Sequence, residues 1–236
     1  MKKEIEAVIL AGGRGRRMGE LTDSTQKCLL PFKDKPVLLH ILDTISDAFG
    51  SANVIIATGY HGEDVKKIVG DQYRNIQIEY TNSPEQLETR RRLLLAKNLL
   101  KGPFLLTAGD IIYNPELLTQ LATSYEANKV ESIIGAISVS SLHKVAPTHA
   151  LIAVSGGYVT EITYPPTTTW QANQLREMGT AFYDHDLLRI AEQASASITQ
   201  ITELMIDALK NGGKFRAEQY FSQWYHFATP EDLVKS

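Results

Sequence analysis

Short apolar runs alternate with amphipathic stretches through the first half of the chain, a rhythm typical of strands that alternate with helices. Uninterrupted apolar runs bounded by turn residues predict buried strands, and an apolar residue at every second position predicts a half-buried one. On these criteria, strands are predicted at residues 7–10, 54–57 and 103–107, with an alternating strand at 76–80.

Amphipathic helices are predicted between these strands. The clearest one begins at Pro36, a residue that suits the first turn of a helix. Its apolar face comprises Val37, Leu38, Ile41, Leu42, Ile45 and Phe49. Further helices are predicted at residues 63–69, 86–100 and 115–127. Because strand–helix–strand units pair their strands in parallel, we expect an α/β fold with a mostly parallel central sheet and flanking helices.

The pattern changes after Val130, where several predicted strands follow one another with only loops between them. These strands are predicted at residues 132–139, 150–154, 158–163, 180–183, 215–220 and 224–227. Helices are predicted at residues 184–195, 198–211 and 230–235. Gly156 and Gly157 predict a hairpin turn, and residues 165–170 predict a mobile loop. Since no repeat or linker divides the chain, we expect one domain over residues 1–236.

The composition excludes several classes of protein. Of the 236 residues, 43% are hydrophobic and 22% are charged, which is typical of a soluble globular protein. The net charge of -3 gives no general electrostatic case for a nucleic-acid or membrane partner. The only cysteine, Cys28, cannot form an internal disulfide, and its apolar neighbours favour a packed core position. No apolar run reaches the ~20 residues of a membrane helix, and none resembles a signal-peptide core, so we expect a cytoplasmic protein.

A glycine- and arginine-rich loop follows the first predicted strand. It reads Leu10–Ala11–Gly12–Gly13–Arg14–Gly15–Arg16–Arg17–Met18–Gly19. Glycines let a backbone approach a polyphosphate and turn its N–H groups toward it. The arginines offer forked donors to phosphate, and Lys27 adds a compact positive charge. The alternative is a surface turn with solvated arginines, but three arginines on one loop repel each other unless an anion is present. The loop therefore predicts a nucleoside triphosphate site.

Two other phosphate-binding patterns do not fit this loop. A Walker loop ends in Gly-Lys-Ser/Thr, which is missing here. A dinucleotide fingerprint needs an acidic residue at the end of the second strand, where this chain has Thr58 and Gly59.

Asp110 follows Gly109 just beyond the predicted strand at 103–107. Ligands of open α/β sheets bind outside the carboxyl ends of the strands, so we expect Asp110 and the glycine-rich loop to face one cleft. Mg²⁺ takes one or two carboxylates and completes its shell with phosphates and water. A helix-capping or turn role is the alternative for Asp110, but the loop in the same chain favours a metal ligand.

Three sequence blocks closely resemble those of the sugar-phosphate nucleotidyltransferases. They are Leu10–Ala11–Gly12–Gly13–x–Gly15–x–Arg17–Met18, Leu21–Thr22 and Lys27–x–Leu29–x–Pro31. Weaker blocks follow in the family order at Gly109–Asp110, Gly179 and Thr229–Pro230–Glu231–Asp232–Leu233, so the resemblance covers nearly the whole chain. It implies a Rossmann-like nucleotide-diphospho-sugar transferase fold. It also implies an enzyme that joins a nucleoside triphosphate to a phosphorylated sugar or alcohol and releases pyrophosphate.

The resemblance also implies roles for particular residues. Arg17 and Lys27 would hold the triphosphate, Lys27 would also touch the transferred phosphoryl group, and Asp110 would bind Mg²⁺. Nucleotide contacts would come from Leu10, Ala11, Gly12, Gly13, Gly15, Arg16 and Thr89, and acceptor contacts from Tyr164 and Gly179. Residues 1–128 would form the nucleotide-binding half and residues 129–236 the acceptor-binding half. Homo-oligomerisation is left open.

The acceptor half departs from the family pattern. His226 stands where the family has a second metal-binding aspartate, in Trp224–Tyr225–His226–Phe227–Ala228–Thr229. Because Mg²⁺ prefers oxygen ligands, His226 as a ligand would favour Mn²⁺ or zinc, and the alternative is a partly buried strand histidine. The family's Glu-Lys-Pro, which contacts the sugar phosphate, reads Thr163–Tyr164–Pro165, and Gln26 replaces the proline before Lys27.

A further departure concerns the family's Leu-Gly-Thr-Ala-Gly stretch, which reads Leu87–Glu88–Thr89–Arg90–Arg91. Arg90, Arg91 and Arg92 predict either a basic rim for an anionic substrate or a solvated helix face. Two hypotheses follow from these departures. The chain is a nucleotidyltransferase, or it is a relative that binds nucleotide without turnover and acts as a regulatory or interaction protein.

Overall fold

The computed structural model describes residues 4–84, 87–145, 149–164 and 169–234. The strands in these ranges are β1 (Ile5–Ala11), β2 (Pro31–Phe32), β3 (Lys35–Pro36), β4 (Ala52–Thr58), β5 (Gln72–Tyr73), β6 (Ile76–Asn82), β7 (Phe104–Ala108), β8 (Ile111–Ile112), β9 (Gly135–Val145), β10 (Leu151–Ser155), β11 (Tyr158–Thr163), β12 (Thr169–Tyr183), β13 (Phe215–Gln219) and β14 (Tyr225–His226).

The α-helices are α1 (Val37–Phe49), α2 (Gly62–Val69), α3 (Thr89–Leu95), α4 (Pro115–Asn128), α5 (Asp186–Gln193) and α6 (Ile201–Lys210). Short 3-10 helices span Arg16–Thr22, Lys27–Leu29, Lys97–Leu99, Lys129–Glu131 and Pro230–Leu233. Within the described part of the chain, no helix combines the length and apolar character needed to cross a membrane.

Ten strands form one sheet in the order β10-β11-β13-β9-β12-β7-β1-β4-β6-β5. β1 pairs in parallel with β4 and β7, and β4 pairs in parallel with β6. β12 runs antiparallel between β7 and β9, while β9 and β13 are parallel. Only β5, β11 and β12 run against the common direction, so seven of the ten strands point the same way. The predicted α/β class with a mostly parallel central sheet is confirmed.

β1 lies near the middle of the sheet and is covered on both faces. Ala7, Val8 and Ile9 have 0% exposure. Successive side chains of a strand point to opposite faces, so Ile9 joins the cluster that contains the apolar stripe of α1, and Val8 joins the cluster beneath α3, α5 and α6. Burial of one leucine or isoleucine side chain contributes about 1.5–3 kcal/mol, so these two clusters fix the sheet that carries the glycine-rich loop.

Several predicted boundaries differ from the structure. The predicted helix at 86–100 is split into α3 and the 3-10 helix Lys97–Leu99, and residue 86 lies outside the described ranges. The predicted strand at 180–183 is the end of the much longer β12. The apolar pattern predicts only this end, because the charged Arg176 and Glu177 interrupt the pattern before it. Within the loop predicted at 165–170, residues 165–168 lie outside the described ranges and residues 169–170 belong to β12.

The predicted strand at 224–227 reduces to β14, which pairs with β8 outside the large sheet. β8 begins directly after Asp110, and the backbone N–H of Phe227 donates to the carbonyl of Asp110 at 3.0 Å. The pairing therefore brings His226 beside Asp110. The hairpin predicted at Gly156 and Gly157 is confirmed, since both glycines have positive φ and join antiparallel β10 and β11.

Candidate functional site

The glycine-rich loop leaves the carboxyl end of β1 and packs against Lys27. Gly15 has a φ of +70°, a left-handed conformation that favours glycine. A Cβ atom at Gly15 would also lie 2.7 Å from Cδ of Lys27. Glycine at this position therefore allows the Lys27 side chain to lie directly against the loop.

Gln26 fixes the loop from inside, although the sequence suggested only the loss of a proline. Its side chain is 2% exposed, and Nε2 donates to the carbonyls of Ala11 at 2.7 Å and Gly13 at 3.0 Å. Its Oε1 accepts from the backbone N–H of Cys28. These bonds hold the loop and the start of the 3-10 helix Lys27–Leu29 in one arrangement.

Lys27 and Asp110 form an ion pair between the loop and the end of β7. The N–H of Gly109 donates to the carbonyl of Leu10 at 3.0 Å, which ties the two strand ends together. Burial opposes ionisation of Asp110, but the Lys27 charge and the interaction with His226 outweigh it and hold the pKa of that carboxyl well below its ordinary value. The structure thus brings together the two charged groups that the sequence predicted to share one cleft.

The three arginines of the loop have different surroundings. Arg14 pairs with Asp23 at 3.2 Å and lies over the ring of Tyr60 at 5.2 Å. Arg16 and Arg17 are exposed at the start of the 3-10 helix, and neither has an ion-pair partner among the residues that the structure describes. Their charges are free to meet an anion that binds at the loop.

Two adjoining cavities open at this end of the sheet. The first, about 250 Å³, is lined by Leu10, Ala11, Gly12, Gly13, Gly15, Gln26, Lys27, Cys28, Leu87, Thr89, Arg92, Ala108, Gly109 and Asp110. The second, about 170 Å³, is lined by Leu10, Thr89, Leu106, Ala108, Glu177, Gly179, Thr180, Ala181, Tyr183, Gln200, Ile201, Thr202 and Met205. Leu10, Thr89 and Ala108 line both cavities, so groups bound in the two cavities would be neighbours.

Arg90 and Arg92 are buried, which corrects their interpretation as part of an exposed basic rim or a solvated helix face. Arg92 is 3% exposed and donates to the carbonyls of Thr58 at 2.7 Å and Leu87 at 2.8 Å. Arg90 is 9% exposed and donates to four carbonyls between residues 191 and 198, at the end of α5. Only Arg91 is exposed, 4.0 Å from Glu88.

The remaining predicted contacts lie around the second cavity. Thr89 donates to Oε1 of Gln200 at 3.0 Å and accepts from the N–H of Ile201 at 3.1 Å, so it joins α3 to α6. Gly179 lines the cavity, whereas Tyr164 is 43% exposed at the end of β11 and interacts with Thr202 of the cavity wall.

Glu177 is a site residue that sequence reasoning missed. Burial raises the pKa of Glu177 to about 7, although its Oε1 accepts from the N–H of Gly179 at 2.6 Å. Among the described residues that line the second cavity, Glu177 is the only charged one. The available signal was a charged pair, Arg176–Glu177, two residues before the apolar run at 180–183.

His226 lies between Asp110 and Arg176. Its Nε2 is 3.7 Å from Oδ2 of Asp110, and Nη2 of Arg176 is 2.8 Å from its Nδ1. The Arg176 guanidinium also lies over the Trp224 ring, with Cζ 5.1 Å from the ring centroid. Burial lowers the pKa of Arg176. Burial, together with the charges of Arg176 and Arg17 and the nearby His226, lowers the pKa of His149 to about 4.

A divalent cation has one carboxylate to bind here. Oδ2 of Asp110 is engaged by Lys27, and Oδ1 has no protein partner in the described ranges. A single carboxylate oxygen fits Mg²⁺ when phosphates and water supply its other ligands. Among the described residues, no group of three or more His, Cys, Asp or Glu side chains is arranged to hold a metal by itself.

The chain is similar to known proteins over most of its length. Residues 6–235 match the model of a protein family described as Nucleotidyl transferase. The chain is 32% identical over 128 residues to CMP-5'-(3-aminopropyl)phosphonate synthase of Streptomyces rubellomurinus, an alignment that covers 53% of this chain and 20% of that protein. It is 26% identical over 238 residues to the bifunctional protein GlmU of Methanococcus maripaludis, which covers 98% of this chain and 53% of that protein. The chain spans about half or less of the length of these relatives.

The fold is also similar to that of a solved structure, UDP-glucose pyrophosphorylase complexed with UDP-glucose. The TM-score is 0.82 at 16% identity, and the superposition covers 98% of this chain and 96% of the other. At this identity the likeness concerns the fold alone, and it confirms the expected nucleotide-diphospho-sugar transferase fold.

Proposed function

The chain belongs to the nucleotidyl transferase family, and on that premise we propose that it joins a nucleoside triphosphate to a phosphorylated sugar or small alcohol and releases pyrophosphate. The observation that carries this proposal is the Lys27–Asp110 pair, which lies against the glycine-rich loop where two adjoining cavities meet. The proposal includes a reducing, cytoplasmic location, which the single buried Cys28 supports.

The first cavity receives the nucleoside triphosphate. The backbone N–H groups of Gly12, Gly13 and Gly15 approach the phosphates, and the exposed Arg16 and Arg17 neutralise the phosphate charge. Lys27 reaches the α-phosphate from the wall of the same cavity. Leu10, Ala11 and Thr89 contact the nucleoside, and the second cavity receives the acceptor beside Gly179 and Tyr164.

The reaction is an in-line displacement at the α-phosphorus. An oxygen of the acceptor phosphate forms a new bond to the α-phosphorus. The bond between the α-phosphorus and the oxygen that bridges it to the β-phosphorus breaks. Pyrophosphate leaves with that oxygen. The protein contributes positioning, because the two cavities adjoin, and charge stabilisation, because Lys27 is fixed by Asp110 before the substrates bind.

Asp110 would hold Mg²⁺ through its carboxylate, with Mn²⁺ as the alternative ion. A bound ion of this kind supplies charge neutralisation at phosphate oxygens. His226, the other metal ligand expected from the sequence, lies 3.7 Å from the same carboxylate.

A pyrophosphate-release assay tests the proposal. Four nucleoside triphosphates are combined with Mg²⁺ or Mn²⁺ and a panel of sugar 1-phosphates, phosphorylated small alcohols and small phosphonates. Phosphonates belong in the panel because the name of one relative denotes a CMP-linked phosphonate. We expect pyrophosphate release for at least one combination of nucleotide and acceptor. This release should be lost in Asp110→Asn and retained in Asp43→Asn, a control that alters the ion pair between Lys35 and Asp43. Nucleotide binding without release from any pair would instead identify a relative that does not turn over.

A further inference from the structure

The contacts of His226 define what this side chain can bind. An arginine only donates hydrogen bonds, so Nδ1 of His226 must accept from Arg176. The proton of the neutral ring is therefore on Nε2, the nitrogen that faces Asp110. A metal ion needs a nitrogen lone pair, and the only lone pair of this ring is already used. His226 as placed therefore does not fit the role of a metal ligand beside Asp110.

Within the described ranges, the same geometry leaves the Nε2 donor of His226 without a hydrogen-bond acceptor. The 3.7 Å between Nε2 of His226 and Oδ2 of Asp110 is too long for a hydrogen bond. A ligand oxygen beside Asp110 could accept this N–H without displacing any protein contact. Because the Arg176 hydrogen bond selects the tautomer, Arg176 is also the residue that orients this donor.

Arg176 itself is a partly buried cation that makes no direct ion pair in the described ranges, although the charges of Glu177, Asp110 and Asp232 act on it from further away. No ion pair of Arg176 occurs among the residues that the structure describes, and its contacts there are the His226 ring nitrogen and the Trp224 ring. Buried cations are normally paired with an anion, because desolvation otherwise costs several kcal/mol. Trp224 stacking fixes the guanidinium plane, and the guanidinium has further N–H groups beyond the one given to His226.

We propose that Arg176 and His226 bind the phosphate or phosphonate group of the acceptor beside Asp110, where a second metal-binding carboxylate would otherwise stand. The inference rests on the proposed nucleotidyl transfer. It also accounts for the absence of a charged residue at Thr163 and Tyr164, because Arg176 supplies the positive charge from β12 instead. The guanidinium fork matches two oxygens of such a group, and Nε2 of His226 donates to the third.

Direct binding of inorganic phosphate and methylphosphonate tests this site without requiring turnover. Calorimetric titrations use protein saturated with a non-hydrolysable nucleoside triphosphate and Mg²⁺, so that the first cavity is filled. We expect the Kd of both anions to rise at least tenfold in Arg176→Gln, with an intermediate rise in Arg176→Lys. The matched control is Arg216→Gln, since Arg216 also stacks on an aromatic ring, Tyr158 at 4.7 Å, and donates to the Gly156 carbonyl away from both cavities.

The outcomes separate this inference from the proposed function. Failure of the nucleotide itself to bind would remove the proposed function. Unchanged anion affinity in Arg176→Gln, with nucleotide binding intact, would remove the Arg176 site alone. A second readout is pulsed EPR on the Mn²⁺–nucleotide complex, where we expect no coordinated histidine nitrogen. A nitrogen coupling that disappears in His226→Leu would show that His226 binds the metal and would overturn the proposal.

Discussion

Lys27 and Asp110 are 83 positions apart in the sequence, yet their side chains form an ion pair where β1 and β7 end side by side. The pairing depends on local details on both sides. Gly15 leaves room for the Lys27 side chain, Gln26 fixes the backbone before it, and Gly109 allows Asp110 to approach the end of β1. The Lys27 charge, which we propose meets the α-phosphate, is therefore positioned before any substrate arrives.

Replacement of Lys27 should remove most of the activity. In Lys27→Ala we expect kcat to fall by at least about 10²–10³, the typical cost of one preorganised charge at a reacting centre. The matched control is Lys35→Ala, which breaks the ion pair with Asp43 outside both cavities and should retain kcat within about twofold. Steady-state pyrophosphate release with the best substrate pair gives both values. A wild-type rate in Lys27→Ala would refute the role assigned to this lysine.

The sequence predicts the parallel half of the fold and the position of this pair well. Uninterrupted apolar runs identify β1, β4 and β7, and the rule that ligands bind at strand ends places Asp110 beside the loop. The sequence does not predict which charged side chains turn inward. Arg90 is buried because it satisfies four carbonyls at the end of α5, a distant contact that no local pattern reports.

The acceptor side was harder to predict for a related reason. Arg176 and Glu177 are adjacent in β12, and alternation along a strand sends their side chains to opposite faces. Glu177 consequently lines the second cavity, while Arg176 meets His226. The sequence shows only a charged pair that interrupts an apolar run, whereas the sheet directs the two side chains to different surroundings.

Arg92 makes Gly12 intolerant of a side chain. An ideal Cβ at Gly12 would lie 1.7 Å from Nη1 of Arg92, and three hydrogen bonds prevent that buried guanidinium from moving away. Gly12→Ala should therefore destabilise the fold by about 1–3 kcal/mol or more, the usual range for overpacking. Gly13→Ala is the control, because a Cβ there meets nothing within 4 Å, and its effect should stay within about 0.5 kcal/mol. Urea denaturation of the two variants measures the difference, and equal stabilities would contradict the predicted clash.

Glu177 should make stability depend on pH in a defined window. Burial raises its pKa from an ordinary value of 4.5 to about 7, so between these values the folded protein binds more protons than the unfolded chain. Stability attributable to Glu177 must then fall as pH rises from about 4.5 through about 7, by at most about 3 kcal/mol. In Glu177→Gln this contribution is absent. The difference in unfolding free energy between the variant and the wild type should therefore shift in favour of the variant from pH 5 to pH 8. A difference that is independent of pH would show that Glu177 is ionised throughout.

Cys28 should be inert in the folded protein despite its position beside Lys27. The thiol is 2% exposed, and burial together with the Asp110 charge raises its pKa well above the ordinary value, against a smaller opposing effect of Lys27. Since the thiolate is the reactive form, we expect negligible labelling by an aromatic disulfide reagent at pH 8 and complete labelling once urea unfolds the chain.

A variant with an exposed cysteine, Ser51→Cys, provides the control for reagent activity. Rapid labelling of folded wild-type protein would mean that the wall of the first cavity opens, because Cys28 lines that cavity beside Gln26 and Lys27. A labelling rate well above the rate of global unfolding in the same buffer would distinguish opening of the cavity from global unfolding.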